Sequence, residues 1–394
     1  MSAAIEVFLV ALRLGLTSFG GPVAHLGYFR DEYVLRRRWL DDAAYADLVA
    51  LCQFLPGPAS SQVGIAVGAL RAGPLGGLLS WVGFTVPSAV ALVLFGLGVE
   101  EFDLSDAAWL HGLKIAAVAV VANAVWGMAR TLTPDRERIT LAVIAAVVVL
   151  FERSALSQVL VIAAGAVIGW RLLGAGVTVG GASPERSMGF GPRVAAVAAV
   201  TFVALLVALP LARQVSDSHE LALADSFYRT GSLVFGGGHV VLPLIEEEVV
   251  TPGWVSEDDF IAGYGAAQAV PGPLFAFAAY LGAEAEPSPN GWVGASIALG
   301  AIYVPSFLLL AAALPLWQRL RSRVWVQAAL RGVGAAVVGL LVAALYEPVW
   351  TSAILAPEDF ALGLVAFGLL AGWRLPAWAV VLVAAGGGEL IALR

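Results

Sequence analysis

QFLPGP, Gln53 to Pro58, stands in the middle of a long apolar run, and QAVPGP, Gln268 to Pro273, repeats it in the second half of the chain. Each begins fourteen residues after a tryptophan that opens an acidic turn: Trp39-Leu-Asp-Asp in one case, Trp254-Val-Ser-Glu-Asp-Asp in the other. Tryptophan and motif therefore recur at one offset, 215 residues. A Pro-Gly-Pro cannot continue a helix, because each proline lacks an N–H and restricts the residue before it. Inside a bilayer the freed backbone groups need partners. Broken apolar segments at matched places in two halves point to the binding site of a transporter. The plainer reading of either copy is a kink in a packed helix.

Composition places those runs in a membrane. The 394 residues are 60% hydrophobic and 13% charged, and many apolar runs reach the length needed to cross. The 44 glycines and 20 prolines fit broken helices and close helix packing in lipid. A formal net charge of −7 gives no reason to expect nucleic acid as a partner. Cys52 is the single cysteine, so no internal disulfide forms and neither a thiolate metal site nor a cofactor is expected. The start of the chain lacks a basic region and a cleavage site, and reads as mature sequence.

The rest of the repeat follows from the motif. FGGP (Phe19 to Pro22) returns as FGGG (Phe235 to Gly238), Arg13 as Arg229 and Gly15 as Gly231, all at an offset of 216. Val86-Pro87-Ser88 returns as Val304-Pro305-Ser306, and Gly112 as Gly332. The expected fold is an all-α polytopic membrane protein with two homologous, inverted repeats of six apolar segments. Residues 1–173 form the first repeat, 174–220 a linker with an extra membrane helix, and 221–394 the second. An odd number of segments before the restart predicts the inversion. The sign reversal between the Arg36–Arg38 loop and Glu246–Glu248, and between Glu100–Asp106 and Arg319–Arg323, agrees with it. Each limb beside a Pro-Gly-Pro is roughly 18 Å long, too short to span. The FGGP and Pro-Gly-Pro segments are therefore expected to enter and return as re-entrant hairpins. The N-terminus is expected in the cytoplasm and the C-terminus outside.

A helix start after a break offers free N–H groups and the positive end of its dipole, which suit an anion. Pro56, Gly57, Pro58, Ser60, Ser61 and Gln62 form one such start, with two hydroxyls and an amide added. Pro271, Gly272 and Pro273 form the other, without hydroxyls, so the first copy is the favoured site. Gly20 and Gly21, with Gly236 and Gly237, form the second pair of breaks. Arg13 and Arg229 either bind the oxyanion or snorkel to the interface; Asp225 stands four residues from Arg229, within pairing distance on one helix face. Lys114, the one lysine, either faces substrate or reaches the nearby acidic loop. Gln53 and Gln268 either donate to the anion or satisfy the broken backbone. His25 and His239 are candidates for a coupling proton, against the alternative of polar histidines at helix ends. Glu246–Glu248 and Glu257–Asp259 read as solvated loop.

FGGPVAHLGYFRDEYV, the Trp39 turn and QFLPGPASSQVGIAVG together resemble the chromate ion transporter family, and the restart at Phe235 resembles its long, two-domain members. The resemblance implies an inner-membrane carrier that exports chromate and confers resistance, some members being linked to sulfate. It carries the family motif onto Arg13, Phe19 to Pro22, Gln53 and Pro56 to Pro58, while Gly238 departs from it where Pro22 stands. The expected function is secondary transport of a divalent oxyanion by alternating access, with the four breaks meeting near the midplane. The alternatives are a sulfate or other anion carrier or channel and, less favoured, a membrane-embedded enzyme, for which four scattered histidines offer no constellation. The lipid bilayer is the expected surroundings, and a homodimer is left open.

Overall fold

The computed structural model describes residues 2–19, 21–101, 107–152, 155–174, 191–234, 241–314 and 323–393. The chain is all-α, and the described residues contain no strand. The first half holds α1 (Ala3–Thr17), α2 (Gly21–Arg30) running into a π-turn, α3 (Asp42–Phe54), α4 (Ala59–Glu101), α5 (Ala108–Leu132), α6 (Arg136–Phe151) and α7 (Ala155–Leu172). Next comes α8 (Pro192–Arg213). The second half holds α9 (His219–Leu233), α10 (Val241–Val249), α11 (Glu257–Ala269), α12 (Phe277–Glu284), α13 (Gly291–Ala313), α14 (Val324–Ala344), α15 (Pro357–Ala371) and α16 (Ala377–Ala392). Local chemistry sets the ends in matched ways. Asp41 caps α3 by accepting from the Ala44 N–H, and Ser256, 215 residues on, caps α11 by accepting from the Asp259 N–H.

Among the described residues, five apolar helices are long enough to cross a bilayer: 59–99, 108–132, 192–213, 291–313 and 324–353. The elements flanking the breaks are shorter and double back. Arg13 on α1 pairs with Glu32 in the π-turn, and Glu6 near the start of α1 pairs with Arg37. The chain therefore turns around at the FGGP break. Glu6 also pairs with Arg71, and the Arg37 and Arg71 guanidiniums each lie 5.5 Å from the Trp39 ring. The turn before α3 and the end of the arm after Pro-Gly-Pro thus lie at one end of the molecule, with Pro-Gly-Pro at the opposite tip. Inside α4, Ala72 and Gly73 (φ +69°) leave the helical region, and the arms fold against each other. The Ser80 hydroxyl donates to the Gly64 carbonyl at 2.8 Å, and Gly68 meets Gly76 backbone to backbone.

The second half repeats these contacts. Arg229 pairs with Glu248, at the Arg13–Glu32 offset of 216. Trp254 packs on His219 at the start of α9, and its carbonyl accepts from Glu286 N–H, the position equivalent to Arg71. Gly282 meets Gly294 as Gly68 meets Gly76, and Gly231 meets Ile302 as Gly15 meets Phe84. The two sets of hairpins open at opposite ends of α4. Arg71 marks the start of its long arm, while Gly96 and Phe95, more than twenty residues along, pack on Glu284 and Tyr280. At 1.5 Å per residue that separation is roughly 35 Å, a bilayer's thickness.

The remaining helices form a second group in which the halves exchange partners. α5 packs on α15 and α16, with Gly112 against Ala384; α14 packs on α6 and α7, with Gly332 against Gly165. α8 lies outermost, with Val197, Val200 and Val203 more than half exposed, as suits a surface against lipid.

One reading from sequence is corrected here. Glu246–Glu248 is not a solvated loop. It lies in α10, and the Glu248 side chain is only 10% exposed because it holds Arg229. The loop reading looked at charge density alone; helical spacing puts Glu248 on the same face as the buried Val241, Leu244 and Ile245, seven, four and three residues before it. The long linker and the FGGG residues lie outside the described residues.

Close backbone contact at Gly231 makes that position intolerant of volume. Gly231→Val is expected to lower stability by about 1–3 kcal/mol through overpacking, read as a fall in melting temperature in detergent. Gly300→Ala, where an added methyl meets open space, is expected to leave it unchanged.

Candidate functional site

The site grows out of the two proline-flanked turns. Gly57 (φ +114°) and Gly272 (φ +105°) adopt a backbone conformation that side chains disfavour, and each presents its N–H outward from its own half. The Gly57 N–H donates to the Val234 carbonyl at 2.6 Å, and the Gly272 N–H donates to the Ser18 carbonyl at 2.9 Å. Val234 and Ser18 are equivalent residues, the C-caps of α9 and α1 at the FGG breaks. Each Pro-Gly-Pro turn is thus bonded to the break of the other half. The Ser of each Val-Pro-Ser joins the same crossing: Ser306 lies against Gly57, and Ser88 against Gly272.

The two crossings differ in chemistry. At Gly57 the Ser60, Ser61 and Gln62 Nε2 donors are engaged, while Gln62 Oε1 and His25 Nε2 are buried without a partner. Gln62 Nε2 donates to the Pro56 carbonyl at 2.6 Å and to Ser306 Oγ at 3.3 Å. Ser61 Oγ lies 3.3 Å from the Tyr303 hydroxyl, and Ser60 Oγ 3.4 Å from His25 Nδ1. At Gly272 the residues equivalent to Ser60, Ser61 and Gln62 are Phe275, Ala276 and Phe277, all buried and apolar. The hydroxyls of Ser18 and Ser88 and the Gln268 Nε2 amide are buried without a hydrogen-bond partner. Leaving such a group unpaired costs about 1–3 kcal/mol each, so each of the three calls for an explanation.

The other candidates sort as follows. Pro56, Gly57, Pro58, Ser60, Ser61 and Gln62 are buried or nearly so at the first crossing, and Pro271, Gly272 and Pro273 lie at the second. Gly21 (φ +75°) begins α2 beside the break. Gly20, Gly236, Gly237 and His239 lie outside the described residues. Gln53 is exposed at the end of α3, unlike its counterpart Gln268. Arg13 pairs with Glu32 at 3.5 Å; Arg229 pairs with Asp225 at 2.8 Å and Glu248 at 3.0 Å. Lys114 reaches out of α5 to the carboxylate of Asp258 in the acidic turn of the other half. Sequence reasoning missed Ser18, Ser88, Ser306 and Glu32. The signal for Glu32 was available, since it recurs as Glu248 at the arginine offset. Ser88 and Ser306 were seen only as markers of the repeat.

A separate cavity of about 450 Å³ lies between α6, α7, α10 and α14. Glu152, Glu246, Glu247 and Glu347 line it, with no basic residue among its lining side chains, which disfavours a dianion there.

A family model described as chromate transporter matches residues 5–170 and 221–389. A chromate transport protein of Pseudomonas aeruginosa is 29% identical, over 97% of this chain and 90% of that protein. A chromate transport protein of Cupriavidus metallidurans is 26% identical, over 86% of this chain and 81% of its own length. An uncharacterized transporter of Methanocaldococcus jannaschii is 24% identical, over 86% and 83%. No solved structure gives a significant match.

The two arginines differ in exposure, 57% for the Arg13 side chain and 30% for Arg229. Arg229→Ala takes the ion pair from the buried Glu248 and leaves the buried Asp225 with Arg213 alone, at 3.5 Å, and is expected to cost about 3 kcal/mol. Arg13→Ala leaves Glu32 with Arg36 and Arg37 and is expected to cost under about 1 kcal/mol. Denaturation of the two variants in detergent compares them directly.

Proposed function

The chain belongs to the chromate transporter family, and on that premise we propose that it is a secondary transporter that exports chromate, a divalent tetrahedral oxyanion, by alternating access. The observation that carries this reading is the reciprocal crossing of the broken helices, Gly57 on Val234 and Gly272 on Ser18. It gathers four helix breaks, and therefore irregular backbone and small polar side chains, deep between hairpins that open at opposite ends. Irregular backbone at membrane depth is tolerated where it lines a substrate path.

Export fits the energetics. A dianion leaving a cell that is negative inside gains about 2.3 kcal/mol per charge per 100 mV, about 4.6 kcal/mol in all. The carrier then needs no nucleotide and no large ion gradient, and its activity in an inner membrane would confer chromate resistance. Alternating access would arise from movement of the hairpin group against the group built from α5, α6, α7, α14, α15 and α16. The contact of α11 on α5, closed by Gly265 against the Leu113 carbonyl and by Lys114 on Asp258, is one place where the groups meet. The equivalent residues in the other half, Gly334 and Ala43, carry no charge. The two end states would therefore differ in stability, with the Lys114–Asp258 pair holding one of them.

Everted vesicles containing the protein are expected to accumulate chromate, with sulfate competing in proportion to its affinity. Sulfate uptake without chromate uptake would reassign the substrate, and uptake of neither would remove the transport reading. Lys114→Ala and Asp258→Ala are each expected to change the uptake rate several-fold, and the exchange of Lys114→Asp with Asp258→Lys to restore it. No recovery in the exchanged pair would separate this contact from the transport cycle.

A further inference from the structure

We propose that the substrate oxygens are held at the second crossing, by the Ser18 and Ser88 hydroxyls and the Gln268 amide around Gly272, and not at the first, where Ser60, Ser61 and Gln62 lie. The assignment rests on the oxyanion-transport reading and narrows it to one of two turns that are equivalent in sequence position.

A tetrahedral dianion offers acceptors only, so its site needs free donors. Hydroxyl-rich sequence at the first turn looks suited to that role, yet the structure shows these donors already engaged. Gln62 fills the space beside Gly57 and bonds both the Pro56 carbonyl and Ser306. Ser61 is engaged with Tyr303, and Ser60 with His25. A substrate there would have to break contacts to make its own.

The second crossing is the reverse. Its own half supplies Phe275, Ala276 and Phe277, which cannot bond a neighbour, and the polar groups come from elsewhere. Ser18 is 0% exposed and sits at the end of α1, its carbonyl holding the Gly272 N–H. Ser88 is 3% exposed, on α4, with its oxygen against Gly272. Gln268 lies one turn before Gly272 on α11 with Nε2 buried. None of the three donors has a partner. The corresponding positions at the first crossing are Val234, Ser306 and Gln53, of which one is apolar, one is bonded to Gln62 and one is exposed. Two buried hydroxyls without partners beside Gly272, with the buried Gln268 amide near the end of α11, contributed by both halves, are what an acceptor-only ligand would satisfy. Neutral donors fix oxygen positions without the desolvation cost of a buried cation. They also leave Arg13 and Arg229 in the ion pairs they already make.

The test compares chromate uptake KM and melting temperature for the full-length protein in vesicles and detergent. Ser18→Ala with Ser88→Ala is expected to raise KM at least tenfold, and Ser88→Thr, which keeps a hydroxyl, to recover most of it. Because these hydroxyls are unpaired without substrate, the same alanines are expected to leave the anion-free melting temperature unchanged or higher. They are also expected to abolish the stabilisation that chromate gives the wild type. A KM raised by Ser60→Ala with Ser61→Ala, and unmoved by the Ser18 and Ser88 alanines, overturns the assignment while leaving the transport reading intact. So does a melting temperature lowered by Ser18→Ala and Ser88→Ala with KM unchanged, which marks them as structural. A wild type that neither transports nor is stabilised by chromate or sulfate removes both readings together.

Discussion

Two hydrogen bonds, from Gly57 to the Val234 carbonyl and from Gly272 to the Ser18 carbonyl, are what the rest of the structure depends on. A helix that stops inside the apolar interior leaves carbonyls without partners, and a Pro-Gly-Pro turn leaves an N–H without one. Neither half can bring its own turn to its own break, because the hairpins carrying them lie side by side and point the same way. The other half, entering from the far end, can. The pairing therefore sets the depth at which all four hairpins stop. It also explains why the turns carry glycine between two prolines: the prolines remove the donors that would go unsatisfied, and the glycine turns its single donor outward.

Much of this was legible in the chain. The constant offsets, the doubled Pro-Gly-Pro and the apolar runs gave the broken helices, and limb length gave their return. What stayed hidden has physical reasons. The exchange of partners by α5 and α14 rests on glycine-on-backbone contacts, such as Gly112 with Ala384, which leave no periodic signature beyond ordinary small residues. Glu248 was misplaced because charge density was weighed without helical spacing. Ser18 and Ser88 were passed over because a lone serine in an apolar helix is common; only their burial without a partner sets them apart.

The near-symmetry also shows where the halves have diverged. Arg13–Glu32 and Arg229–Glu248 are kept as the same brace inside each hairpin, but the second is drawn further into the protein by Asp225. Lys114 and Asp258 join the halves across α5 and α11, whereas Gly334 and Ala43 bear no charge. The polar inventory around the two Pro-Gly-Pro turns differs in the same spirit, one self-contained and the other open. The two halves therefore share a frame and differ in the chemistry it carries.

The exchange of helices between the halves bears on how the protein is made. The small-residue face of α5, with Gly112 at its centre, leaves the ribosome long before α15 and α16, the helices that cover it. α14, made before them, packs on α6 and α7 and not on that face. Assembly cannot proceed half by half, because α15 and α16 close a seam that α5 opened. A chain that stops short of Ala384 leaves that seam open, which gives a membrane quality-control system a late and definite point at which to tell finished molecules from unfinished ones.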